Sequence, residues 1–202
     1  MATVQFWFDP ICPWTYVTYQ WLVEAASVRS LKIRPRLLSL YFLNRDRPDT
    51  GHRASHEASR QLERFLAWVR AEHGDRLMEQ AYDRLGQELF LNGRQPDAEL
   101  VRTVATELGL STAEAANAAS DENWETVILE DHQVAMALVG DDVGSPVIAL
   151  ADGAAFFGPV FSRAPKGAAA GQVWDDCVAL ASHPDFFELK RSRGDAVRPS
   201  FT

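Results

Sequence analysis

The stretch Val4-Gln5-Phe6-Trp7-Phe8-Asp9-Pro10-Ile11-Cys12-Pro13-Trp14-Thr15 decides how the rest of the chain is read. Val4 to Phe8 is short, aromatic and apolar, and Asp9-Pro10 closes it, which predicts a buried strand. Pro13 suits the first turn of a helix, where a missing N–H costs nothing. From Trp14 onward, Val17, Trp21, Leu22, Ala25 and Val28 recur at helical spacing. A second strand is expected over Leu31 to Leu40, with Ile33, Leu37 and Leu38 apolar among basic residues. Pro35 in its middle asks for either an edge position or different bounds for the strand. Strand, helix and strand in succession make a βαβ opening, hence a parallel pair.

Cys12 thus falls where a strand gives way to a helix. Unpaired N–H groups and the positive end of the helix dipole favour a thiolate there, so a depressed thiol pKa is expected. A thiolate is the nucleophile of thiol–disulfide exchange. Asp9 opposes that shift if its carboxylate points the same way. A dithiol enzyme would carry its resolving cysteine at position 15, but Thr15 stands there. Its hydroxyl either hydrogen-bonds the sulfur or serves the first helical turn.

Further along, the pattern turns helical. His52 to His73 places Leu62, Phe65, Leu66 and Val69 on one face, and Asp75 to Leu91 repeats this with Leu77, Met78, Ala81, Leu85 and Leu89. Asp97 reads as an N-cap and Gly109 as a C-cap, and Ser111-Thr112-Ala113-Glu114 is a capping box. Asp121 to Val139 follows, with Trp124, Val127, Ile128, Val134 and Leu138 apolar. β character returns at Pro146 to Leu150, turns at Asp152-Gly153 and continues through Ala154 to Phe157. A last helix is expected over Ala168 to Ser182, with Cys177 on its apolar face, either as inert core or as a sulfur that resolves Cys12 from across the fold. The expected fold is α/β, a thioredoxin-like βαβ–ββα core over 1–50 and 141–202 with an all-helical insertion over 51–140.

Composition bounds the function. The 202 residues are 47% hydrophobic and 24% charged, enough for a proper core, and the net charge of -8 disfavours a nucleic-acid surface. Two distant cysteines are no disulfide framework. The opening residues lack a basic segment followed by an apolar run, and no run is long enough to span a bilayer. A cytoplasmic location is expected. His52 and His56 have metal-ligand spacing, yet no further Cys/His cluster accompanies them, so no metal is expected.

Gly144-Ser145-Pro146 supplies the second piece. In thioredoxin-like folds a cis-proline opens the third strand and faces the reactive cysteine, and the residue before it offers its backbone to the substrate. Together with Asp9-Pro10-Ile11-Cys12-Pro13-Trp14, this resembles the two-domain oxidoreductases related to the disulfide oxidase DsbA. Within these, the chain looks closest to the actinobacterial mycothiol-dependent nitroreductases and reductases. That closer match rests on Leu38-Ser39-Leu40 with Leu43-Asn44, on Asp142-Val143-Gly144-Ser145-Pro146, on Ala155-Phe156-Phe157-Gly158-Pro159-Val160, and on Phe186-Phe187-Glu188-Leu189-Lys190-Arg191.

The resemblance implies a nucleophilic Cys12 and reduction coupled to mycothiol, a sugar-bearing low-molecular-weight thiol. It implies no bound cofactor, small thiol and disulfide or electrophilic substrates as partners, and leaves a homodimer open. Pro13, Trp14, Ser145 and Pro146 would hold the incoming thiol. Related reductases carry cysteine where Thr15 stands, which points to a monothiol cycle. Two other readings stay open. One is a thiol transferase or isomerase resembling the kappa-class glutathione transferases, which usually place serine at the position of Cys12. The other is a non-catalytic binding module that has lost its redox site.

Overall fold

The computed structural model describes residues 2–194 and 196–201. Met1, Asp195 and Thr202, assigned by sequence to the core, lie outside the described residues. The chain opens with strand β1 (Ala2–Phe8), helix α1 (Pro13–Arg29) and strand β2 (Leu31–Leu37). β1 and β2 pair in parallel, with Phe6 opposite Pro35 and Phe8 opposite Leu37. β2 is the sheet's edge strand, so the missing N–H of Pro35 interrupts no outer ladder. The strand ends sooner than Leu40 because Ser39 caps the short helix α2 (Leu40–Asn44), its Oγ accepting from the Phe42 N–H at 3.3 Å.

Helices α3 (Arg53–His73), α4 (Asp75–Gly86), α5 (Ala98–Glu107), α6 (Thr112–Ser120) and α7 (Glu125–Val139) follow. The Asp97 and Ser111 side chains cap α5 and α6 by accepting from Leu100 N–H and Glu114 N–H. Two expected helices are corrected at their ends. α4 gives way after Gly86 to a π-helical turn over Gln87–Leu91, and a 3₁₀ turn over Glu122–Trp124 precedes α7. On α7 the inward residues are Ile128, His132 and Ala135, whereas Val134 and Leu138 are exposed. The apolar stripe is too broad there to fix the helix's rotation.

Strands β3 (Val147–Ala149) and β4 (Ala155–Phe157) complete the sheet, in the order β2-β1-β3-β4 with both later pairings antiparallel. Gly153, at φ 94, makes the turn between them. Helix α8 (Gly167–Ala181) then packs on α1, where the Trp21 indole donates to the Ala170 carbonyl at 3.1 Å.

β1 alternates between two cores. Val4, Phe6 and Phe8 join a large cluster that runs without a break into α1, α3, α4 and α5. Trp7 faces the other side, with Leu38, Ala135, Val147 and Ala149. Asp131 fastens α7 to the sheet: its carbonyl accepts from the Trp7 indole at 3.0 Å, and its carboxylate from Leu37 N–H at 3.0 Å and from Arg70. No helix among the described residues is long and apolar enough to cross a membrane.

Candidate active site

The reactive loop begins where β1 ends. Asp9 accepts the Ile11 N–H at 2.9 Å on its own carboxylate, and its carbonyl accepts the Cys12 N–H at 3.1 Å, forming a tight turn. Cys12 is the N-cap of α1 in extended conformation, with Pro13 at the first helical position. The Cys12 side chain makes no cap hydrogen bond, but the first-turn N–H groups lie close enough to act on its sulfur. Those of Thr15 and Trp14, with the Thr15 hydroxyl, lower the thiol pKa.

They do not prevail. Desolvation by burial pushes the Cys12 thiol up, Asp9 adds to this, and the net shift is upward. The depressed pKa expected from a helix N-terminus is therefore corrected: desolvation of the half-buried sulfur and the Asp9 carboxylate outweigh the dipole. The sulfur rests as a thiol pointing at the Ser145 carbonyl, 4.0 Å away.

The Ser145–Pro146 peptide is cis, and both residues are buried beside Cys12. Ser145 Oγ lies 2.8 Å from Thr15 Oγ1 and accepts the Asp9 N–H at 3.1 Å. One Thr15 proton cannot serve both Ser145 and the sulfur. Here the Thr15 hydroxyl donates to Ser145; a turn of both hydroxyls, with Ser145 donating to Thr15, would release the Thr15 proton toward Cys12. Gly158 N–H donates to the Pro146 carbonyl at 2.9 Å, and Thr18 of α1 donates to the Pro159 carbonyl at 2.7 Å, which bolts this loop to the helix.

Trp14 is half-buried, with the Arg193 guanidinium 4.3 Å above its ring. Cys177 is a free, half-buried thiol whose pKa burial raises to about 11. The rings of His52 and His56 lie 6.1 Å apart, and no group of three metal-ligating side chains exists among the described residues.

The opposition of Asp9 to the thiolate is expected from sequence, but the partners of its carboxylate are not. Asp9 is fully buried and also accepts from Leu40 N–H at 2.7 Å and Ser59 Oγ at 2.6 Å. Glu63, one turn beyond Ser59 on α3, is buried against it. Polar residues four apart within an apolar helix face were the available signal. The contact of Arg193 with Trp14 had none, because the C-terminal segment has no periodicity.

The fold and this loop define a class: an α/β protein with the architecture of the DsbA-like thioredoxin-fold oxidoreductases. A family model for the mycothiol-dependent nitroreductase Rv2466c matches residues 11–191, and the chain belongs to that Rv2466c-like family. The uncharacterized protein Rv2286c of Mycobacterium tuberculosis is 30% identical over 201 residues, covering 97% of this chain and 84% of that one. Among solved structures, 2-hydroxychromene-2-carboxylate isomerase is similar with a TM-score of 0.63 and 16% identity, over 88% of this chain and 93% of that one. The cytosolic disulfide reductase DsbM of Pseudomonas aeruginosa is similar with a TM-score of 0.56 and 20% identity, over 76% and 87%.

Proposed function

We propose that the chain is a monothiol thiol–disulfide oxidoreductase that works with a low-molecular-weight thiol such as mycothiol, and that Cys12 is its nucleophile. The observation that carries this reading is the position of the Cys12 sulfur at the N-cap of α1, 4.0 Å from the Ser145 carbonyl of the cis Ser145–Pro146 peptide. The family's mycothiol dependence supports the choice of thiol. DsbM, a neighbour in fold, is also known with GSH, which supports a small thiol as partner.

In the first step the Cys12 thiolate attacks the mycothiol sulfur of a mixed disulfide. A Cys12–mycothiol disulfide forms, and the substrate leaves as a thiolate that takes up a proton. In the second, a free mycothiol thiolate attacks the bound mycothiol sulfur, restoring Cys12 and releasing mycothiol disulfide. The substrate sulfur is reduced to a thiol and one free mycothiol is oxidised, leaving as the disulfide with the mycothiol of the mixed disulfide, so the cycle balances without a second protein cysteine. Trp14, Pro13, Ser145 and Pro146 line the platform for the incoming thiol, and Thr15 stabilises the departing charge. The helical segment 51–140 serves as the cover that keeps water from the exchanging sulfurs.

Turnover of a mycothiol mixed disulfide in the presence of free mycothiol tests this. Cys12→Ser should lose turnover entirely and Cys177→Ser should retain it. Thr15→Val should slow turnover about tenfold, the effect of one lost hydrogen bond to a charged group. Full activity of Cys12→Ser would overturn the proposal. The raised thiol at Cys12 favours a second reading, a transferase or isomerase that activates a bound thiol without covalent attachment. Thiol-dependent turnover in Cys12→Ser would establish it.

A further inference from the structure

Asp9 and Glu63 form a buried pair of carboxyl groups beneath the Cys12 loop. They are 0% and 1% exposed and hydrogen-bonded to each other. No cation answers them among the described residues. Arg60 and Arg64, on the same helix as Glu63, are paired with Glu125 of α7. His56 of α3 and His132 of α7 face the pair, and burial lowers the pKa of both. Tyr82 of α4 feels both Asp9 and Cys12.

Two carboxyls in contact, out of water and without a cation, hold one proton between them. The donors decide which of them carries it. Asp9 receives Ile11 N–H, Leu40 N–H and the Ser59 hydroxyl. Glu63 receives Ser39 alone, and its Oε1 has no partner.

We propose that Glu63 is a positioning residue for the chemistry of Cys12: it holds the single proton of the buried carboxyl pair and fixes at one the negative charge the sulfur meets. This rests on Cys12 being the reactive group. Asp9 already opposes ionisation of Cys12, and a second ionised carboxyl would oppose it further. Loss of the Glu63 proton and loss of the Cys12 proton therefore hinder each other, and the two groups titrate as a coupled set.

The test is the rate of Cys12 alkylation by iodoacetamide, followed from about pH 6 to about pH 10 around the ordinary thiol range. Cys12→Ser serves as the blank, and circular dichroism checks folding. Glu63→Gln keeps the shape and the donor to Asp9 but has no proton to lose. Wild type should show a profile broader than one proton. Glu63→Gln should narrow it to one proton and, on the rising limb where the thiol is still mostly protonated, alkylate up to about threefold faster, the effect of half a pKa unit. Asp9→Asn should raise the thiolate fraction at neutral pH by about tenfold, one pKa unit. Infrared spectra at neutral pH should show a carboxylic-acid carbonyl band in wild type that Glu63→Gln lacks.

Alkylation profiles that superimpose for wild type and Glu63→Gln would overturn the positioning role alone. A Cys12 that fails to alkylate in wild type would overturn both this role and the nucleophile reading. An infrared band unchanged by Glu63→Gln would remove the proton from Glu63 and with it the proposal.

Discussion

At the level of single residues, the chemistry turns on a contest around one sulfur. Desolvation and Asp9 raise the Cys12 thiol, while donors from Trp14 and Thr15 lower it. The alkylation midpoint should therefore lie above the ordinary ~8.5 of a free cysteine. Thr15→Val should move it higher still, since the substitution removes a donor. A midpoint below that of free cysteine would mean that the helix N-terminus wins after all. Glu63 makes a separate prediction about stability. Its folded pKa is raised, so its contribution is complete below the unfolded value of ~4.3 and is lost as pH rises through the folded value. Glu63→Gln should thus gain on wild type in urea melts as pH increases. Glu125 has the opposite sign. Burial alone would raise it, but hydrogen bonds from Arg64 and Arg60 hold it below the usual range. Its contribution is present above ~4.3 and is lost as pH falls through the lower folded value, so Glu125→Gln should erase part of the acid-side loss.

At the level of elements, α1 is held from both sides. A Cβ at Gly86 of α4 would lie 2.1 Å from the Tyr16 ring, so glycine there permits the close approach of the two helices. Gly86→Ala should cost about 1–3 kcal/mol as Tyr16 is forced aside, read from chemical unfolding. Tyr82 stacks on Phe8 with ring centroids 3.7 Å apart, and its buried hydroxyl has no hydrogen-bond partner. Tyr82→Phe keeps the stack and removes an unpaired group, so stability should hold or rise by about 1 kcal/mol. These elements were legible in sequence to different degrees. β1 and the start of α1 were plain because Val4 to Phe8 is apolar and Pro13 marks a helix start. Pro35 left an edge position or misplaced bounds open for β2, and the strand is both an edge and shorter than expected. The rotation of α7 was not legible, since Val134 and Leu138 are as apolar as the residues that face inward. Nor was the partnership of Ser59 and Glu63 with Asp9: their spacing on an apolar helix face marks them as a buried polar pair, but nothing local names a partner about fifty residues away.

At the level of the whole molecule, the helical segment is no loosely tethered attachment, because one core cluster runs from β1 and α1 through α3, α4 and α5. Urea unfolding should therefore be a single transition, coincident by tryptophan fluorescence and far-UV circular dichroism. Trp7 and Trp21 report the sheet and α1, and Trp68 reports α3. Separate transitions would mean that the two parts fold independently. The chain's membership of a mycothiol-dependent family narrows the small thiol to be offered, and the single cysteine of the Cys12-Pro13-Trp14-Thr15 loop narrows what it can form. The most direct measurement is intact mass after exposure to mycothiol disulfide and then to free mycothiol. One mycothiol adduct should appear on wild type and on Cys177→Ser, vanish with free thiol, and never form on Cys12→Ser. An unmodified wild type, or an adduct that survives in Cys12→Ser, would contradict a monothiol cycle at Cys12.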